Sequence, residues 1–254
     1  MHPDKIKLSL VTINLNNLIG LTNTIHSVIP QLNNSIEYLI IDGLSNDGSI
    51  ELIKQHQHNL SYWSAEKDKG IYHAMNKGIT KANGEYILFL NSGDVLIEDI
   101  SKILPLLKDK PDILSCAIHV ETDSGPPILR HPIPNYTPSA IFLNCLPHQS
   151  TLIKRSLFEQ YGCYDESFHI AADLEFWLRI VSNPIKYKAS SFILSKMEKE
   201  GVGASRNEAH YQERLRIFKK YSKGIKLNLD TIRLVYRNRG LIYWYLIQKM
   251  RNNY

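Results

Sequence analysis

The sequence predicts an α/β fold: a Rossmann-type, mostly parallel sheet flanked by helices, with a C-terminal helical extension. Two observations carry that prediction. Strand-like and helix-like stretches succeed one another between residues 6 and 94, the pattern of βα units that build a parallel sheet. Asn14, Asp42, the segment 66–70 and the segment 91–94 each follow the carboxyl end of a predicted strand, where open α/β sheets line their ligand crevice.

The elements follow in order. Residues 6–14 mix β-branched and apolar side chains as a buried strand does. Asn16-Asn17 supplies a helix start, with Leu18, Leu21, Ile25, Val28 and Leu32 at helical spacing. Residues 36–41 form a second apolar strand ending at Asp42, and a helical stretch follows Asp47-Gly48. Residues 60–63 are a third short strand, 71–82 a helix, and 85–90 a fourth strand ending at Asn91-Ser92-Gly93-Asp94. Between about 112 and 150, Pro126, Pro127, Pro132, Pro134, Pro138 and Pro147 predict loops and short strands. Short helices are expected at 157–161 and 173–181, a strand at 185–194 and a strong helix at 206–221. The last thirty residues are helical again, with Gly240 as a hinge.

Composition narrows the class. Apolar residues make up 43% and charged residues 22%, an ordinary globular mixture that excludes disordered and collagenous chains. Cys116, Cys145 and Cys163 are odd in number and widely spaced, so neither a disulfide framework nor a structural zinc site is expected. Reduced thiols and the absence of a signal-peptide pattern at the start predict a cytoplasmic protein. No G-x-G-x-x-G follows the first strand, and no P-loop or G-x-S-x-G elbow exists, which disfavours NAD enzymes, P-loop NTPases and α/β-hydrolases.

The net charge of +5 hides an asymmetry: residues 199–254 hold 13 of the basic residues against 4 acids. In the tail at 225–254, Arg233, Arg237, Arg239, Lys249 and Arg251 interleave with Tyr236, Tyr243, Trp244 and Tyr245. Its apolar stretch is far shorter than the ~20 residues a bilayer span needs. A basic, aromatic helix suits an anionic membrane surface; packing on the catalytic domain or on a second subunit of a homodimer is the alternative. No nucleic-acid partner is expected.

Five segments carry a resemblance: LSLVTINLN at 8–16, IIDGLSNDGS at 40–49, SAEKDKGIYHAMNKGITKANGEYILFLNSGD at 64–94, PHQSTLIKRSLFEQYGCYDESFHIAADLEFWLRI at 147–180 and GVGAS at 201–205. Together they resemble family 2 glycosyltransferases of the GT-A fold, in particular the small bacterial polysaccharide and O-antigen type. The resemblance implies a catalytic domain over 1–205, with a nucleotide-sugar half at about 1–111 and an acceptor half at about 112–205, leaving 206–254 as a basic aromatic tail.

It also implies roles. Asp173 matches the general base. Asn14, Asp42, Asp68, Asn76, Asn91 and Asp94 fall at donor-binding positions, and His148 and Gln149 beside the acceptor. Asp94 would hold Mg²⁺ or Mn²⁺. The chain departs from the family at Gly43, Asn91 and Gly93, where acids are usual, and at His73, where an aspartate is expected. Plainer roles stand beside these: Asp42 and Asp47 as turn formers, Asp94 as a cap for a helix near Glu98 and Asp173 as an N-cap.

The implied activity is inverting transfer of a hexose from a nucleotide diphosphate sugar, UDP-linked by family habit. The acceptor would be a glycan or polyprenyl-diphosphate-linked sugar hydroxyl, in a pathway such as O-antigen or lipopolysaccharide assembly. A catalytically inactive sugar-nucleotide-binding subunit is the alternative. A nucleotidyltransferase is disfavoured, because Leu15-Asn16-Asn17-Leu18 lacks a Gly-rich basic loop.

Overall fold

A computed structural model describes residues 6–122, 124–198 and 208–221. The expectations for the tail at 225–254 and for GVGAS at 201–205 lie outside the described residues.

The first half follows the predicted alternation. Strands β1 (Leu8–Asn14), β2 (Ile36–Asp42), β3 (Tyr62–Ala65) and β4 (Tyr86–Phe89) are separated by helices α1 (Leu18–Val28), α2 (Ser49–His56) and α3 (Ile71–Lys81). Pairings β1–β2, β1–β4 and β2–β3 are all parallel. Helix α1 starts where expected, with Asn17 Oδ1 accepting from Gly20 N at 3.0 Å. It stops at Val28 rather than reaching Leu32, because Pro30 lies in a 3₁₀ turn over Ile29–Gln31.

The second half is mixed. It contains β5 (Val95–Leu96), β6 (Ile113–Val120), β7 (Ile128–Arg130), β8 (Thr151–Lys154) and β9 (Tyr187–Met197). Helices α4 (Pro138–Leu143), α5 (Arg155–Tyr161), α6 (Ala172–Ile180) and α7 (Glu208–Tyr221) accompany them. The described strands run β3-β2-β1-β4-β8-β6-β9-β5, with β7 on β6. Strand β8 is antiparallel to both β4 and β6, so it is a single reversed strand between neighbours that run the same way. The expectation of only short strands between 112 and 150 is corrected: β6 is eight residues long and its first six are buried. The prolines begin at Pro126, after it has ended.

Period-two alternation divides the core between the two faces of the sheet. Val11, Ile13, Leu39, Ile41, Ile87 and Phe89 pack with α3 and α6 on one face. Leu8, Leu10, Tyr38, Ile40 and Leu88 pack with α1 on the other. Helix α3 lies close because Gly78 has no side chain; a Cβ there would collide with Val11 Cγ1. Below the sheet, the buried Glu37 carboxylate accepts from Ser9 Oγ and Asn83 N, both at 2.5 Å, and from Gly84 N at 3.1 Å. These bonds tie β1, β2 and the turn into β4 together, at the end opposite the polar clusters. Among the described residues, no helix is long and apolar enough to cross a membrane.

Candidate active site

A cavity of about 680 Å³ opens at the carboxyl ends of β1 and β4. Asn14, Asp68, Asn91 and Asp94 line it from the first half of the chain, and His148, Gln149 and Asp173 from the second. Asp42 and Asn76 do not line it, and both expectations need correcting in detail.

Asp42 is fully buried behind Asn14. Its carboxylate accepts from Asn14 Nδ2 at 2.7 Å, Ser45 N at 2.7 Å and Ser45 Oγ at 2.8 Å. The Asn14 amide is thereby oriented, and its buried Oδ1 has no protein partner. Asp42 therefore reaches the cavity only through Asn14. The space beside Gly43 belongs to another acid: a Cβ there would lie 2.7 Å from Asp68 Oδ2. Asp68 is itself steadied by Gly70 N, which donates to Oδ1 at 3.0 Å. Asp47 accepts from Leu18 N at 2.8 Å and Ser49 N at 3.1 Å, which makes it a loop and helix-start residue.

Asn76, on α3, faces the loop before α6 instead of the cavity. Its amide donates to Tyr164 O at 3.0 Å and Glu166 Oε1 at 2.9 Å, and its carbonyl oxygen accepts from Tyr164 N at 3.0 Å. His73 likewise turns to the backbone, where Nδ1 accepts from Lys69 N at 3.2 Å.

The turn at 91–94 is held by α1. Thr24 Oγ1 accepts from Gly93 N at 3.0 Å and donates to Asp94 O at 2.7 Å, while Asn17 Nδ2 donates to Ser92 O at 3.2 Å. Gly93 takes φ +101, a left-handed value that favours glycine. Asp94 Oδ2 accepts from Asn91 N at 3.1 Å, so it closes its own turn; the next helical stretch is capped by Asp99 instead. Asp94 is 4% exposed. Burial pushes its carboxyl up to about 7, against the lowering influence of His148 and of backbone hydrogen bonds at Asn91 and Glu198.

Asp173 sits in the first turn of α6, past the N-cap position, which Ala171 occupies. Oδ1 is engaged: it accepts from Leu174 N at 2.8 Å and from Tyr72 Oη at 3.1 Å. Oδ2 faces His148 Nδ1 at 3.6 Å and the Cys145 thiol at 3.6 Å. Burial raises this carboxyl, but the hydrogen bond and charge of His148, with the Leu174 and Tyr72 donors, outweigh it and hold the group below the usual carboxylate range. His148 Nε2 meets Asn91 Nδ2 at 3.1 Å, so one imidazole bridges the two halves of the cavity. With the Asn91 amide donating to Nε2, the ring's Nδ1 carries a proton toward Asp173.

Tyr72, Arg130, Cys145 and Glu198 also line the cavity, and sequence reasoning missed them. Tyr72 stands inside the conspicuous 64–94 block, four residues after Asp68, where its position was visible but its direction was not. Arg130 ends β7, which pairs with the preceding β6, and Glu198 follows β9, whose partner β6 lies about 75 positions earlier. Glu175 is buried in an ion cluster with Arg179 and Lys220, and Trp177 is core.

The family model described as glycosyl transferase family 2 matches residues 9–170. The chain is 31% identical over 217 residues to an uncharacterized glycosyltransferase of Mycobacterium tuberculosis, with 78% of this chain and 77% of that relative covered. Two solved structures share the fold. TarS (1–349) of S. aureus in complex with UDP-GlcNAc aligns with TM-score 0.67 at 17% identity, over 90% of this chain and 70% of that one. The mannosyltransferase PcManGT of Pyrobaculum calidifontis, in complex with GDP-Man and Mn²⁺, aligns with TM-score 0.66 at 15% identity, over 92% and 69%. The mixed sheet flanked by helices is thus the GT-A arrangement, and the chain is a glycosyltransferase that belongs to glycosyl transferase family 2.

Proposed function

We propose that this chain transfers a hexose, with inversion, from a nucleotide diphosphate sugar to a hydroxyl of a glycan or lipid-linked sugar acceptor. Asp173 is the general base. The observation that supports this most strongly is the asymmetry of its carboxylate: Oδ1 is fixed by two donors, while Oδ2 is turned to the cavity beside His148. A partly buried carboxylate held in its ionised form is available to accept a proton at neutral pH. In the proposed step Oδ2 takes the acceptor hydroxyl proton, and the acceptor oxygen bonds to the anomeric carbon. The bond from that carbon to the diphosphate breaks, and the nucleoside diphosphate leaves with the electron pair. One displacement turns an α-linked donor into a β-glycoside.

Asn14 and Asp42 serve the donor together. Held by Asp42, Asn14 offers an unpartnered carbonyl oxygen, which suits the imide N–H of uracil. TarS in complex with UDP-GlcNAc and PcManGT in complex with GDP-Man share this fold, which supports a nucleotide sugar as the donor.

For the metal, the donor chemistry fits an ion that arrives with the nucleotide. Asn91 Oδ1 is buried without a partner, Asp94 lies on the same turn, and a Cβ on Gly93 would strike the Glu198 carboxylate. These are hard oxygen donors, suited to Mg²⁺ or Mn²⁺. Among the described residues no group of three His, Cys, Asp or Glu side chains stands ready for an ion, and diphosphate oxygens and waters would complete the shell. When bound, the ion neutralises charge on the leaving diphosphate.

The test is turnover of a panel of nucleotide sugars with and without Mn²⁺, followed by NMR of the anomeric proton of the product. Nucleoside diphosphate release with a β-linked product is expected. A product that retains the donor's configuration, or no turnover of any donor across a panel of acceptors, would overturn the proposal.

A further inference from the structure

Helix α7 lies beyond the segments that match the family, yet it grips the chain on both sides of Asp173. Glu213, on α7, accepts three consecutive backbone N–H groups: His169 N on Oε1 at 2.6 Å, and Ile170 N and Ala171 N on Oε2, both at 2.9 Å. Those three residues lead directly into α6, whose N-cap Ala171 has no capping side chain of its own. Glu213 thus replaces a missing local cap with a carboxylate brought from another helix, at the end of α6 where the helix dipole favours negative charge.

The loop so held reaches the carboxylate of Asp173. Tyr72 shares its hydroxyl proton between Ile170 O at 2.9 Å and Asp173 Oδ1 at 3.1 Å. A shift of Ile170 therefore changes the hydrogen bonds that orient Asp173. On the other side, Lys220 Nζ at 2.7 Å and Tyr221 Oη at 2.5 Å both donate to the buried Oε1 of Glu175, two residues past Asp173. Arg216 donates to Ser167 O at 3.2 Å and lies 4.0 Å over the Phe168 ring. A helix that serves only to cover the core needs no carboxylate aimed at three successive amides of this loop.

We propose that Glu213 is a positioning residue for the transfer step: through the 169–171 loop and Tyr72 it sets where Asp173 Oδ2 points. The proposal rests on Asp173 being the base. Displacement of a reacting group by about 1 Å can cost ~10²-fold in rate without loss of binding, so the effect belongs in kcat and not in donor affinity.

The experiment compares Glu213→Ala and Glu213→Gln with the parent enzyme, each also in the Asp173→Asn background, reading kcat, donor KM and nucleotide affinity. Glu213→Ala is expected to lower kcat by roughly ten- to a hundredfold with donor KM and nucleotide affinity unchanged. Glu213→Gln keeps the side chain's size but offers one acceptor where three bonds are needed, and its kcat should fall between Ala and the parent. In the Asp173→Asn background neither substitution should reduce the residual rate further. Unchanged kcat in Glu213→Ala, or the same loss with and without Asp173, overturns the positioning role. So does loss of nucleotide binding in both variants, which would make Glu213 a folding residue. Full activity of Asp173→Asn alone would instead overturn the base assignment, independently of Glu213.

Discussion

His148 Nδ1 lies 3.6 Å from Asp173 Oδ2, and the opposite nitrogen of the same ring lies 3.1 Å from Asn91 Nδ2. Burial pushes Asp173 up, and His148 is first among the groups that bring it down. Replacing His148 by Ala leaves burial less opposed. The acid limb of kcat/KM should then move to higher pH, because Asp173 must be ionised to accept a proton. A pH–rate profile checks this: an acid limb that stays in place in His148→Ala would show that the imidazole does not hold the carboxylate down.

Asn14→Ala removes the proposed contact to the nucleotide base while leaving the reacting groups untouched. One buried hydrogen bond contributes about 1–1.5 kcal/mol, so the dissociation constant for the nucleoside diphosphate should rise roughly tenfold. kcat at saturating donor should change little. Titration calorimetry of the free nucleotide measures the first quantity, and a large fall in kcat with normal affinity would place Asn14 elsewhere in the reaction.

Asp94 is a carboxylate whose burial has a cost in stability. Its folded value, about 7, lies above the ordinary 3.8. Its contribution is therefore fully present below the lower value and is lost as pH rises through the upper one. The shift corresponds to about 4 kcal/mol at high pH. Asp94→Asn should raise the thermal midpoint by several degrees at pH 8.5 in metal-free buffer and have little effect at pH 4. Equal shifts at the two pH values would contradict that origin.

Oxygen donors that wait for a diphosphate make a sharp distinction between ligands. Mn²⁺ should tighten binding of a nucleoside diphosphate by tenfold or so, about 1.4 kcal/mol, and leave the monophosphate almost unaffected. Thermal-shift titrations with chelator and with Mn²⁺ read both, and equal metal dependence for the two nucleotides would remove the ion from the diphosphate.

Much of this was legible in the chain, and the gaps have physical causes. Strands β1, β2 and β4 and helix α3 announce themselves through local periodicity, and polar residues that follow β1, β3 and β4 line one cavity at the carboxyl ends of the strands. Side-chain direction was not legible. Asp42 follows the same strand-end rule as Asn14, but the donors of Ser45 turn its carboxylate inward. Asn76 lies on the helix that lines the cavity, yet its amide is taken by the backbone of Tyr164, 88 positions away. Strand β6 was hidden because the prolines after it colour the whole window in composition. Glu213 was out of reach for the same reason as Asn76: its partners are more than 40 residues distant and are backbone amides, which leave no mark on residue type.

The most direct test is Asp173→Asn, which preserves shape and removes the proton acceptor. General bases contribute about 10²–10⁴-fold, so transfer should fall by at least ~10²-fold, while affinity for the nucleoside diphosphate with Mn²⁺ stays within twofold of the parent. Transfer at the parent rate, with nucleotide still bound, would contradict the assignment of Asp173 as the base.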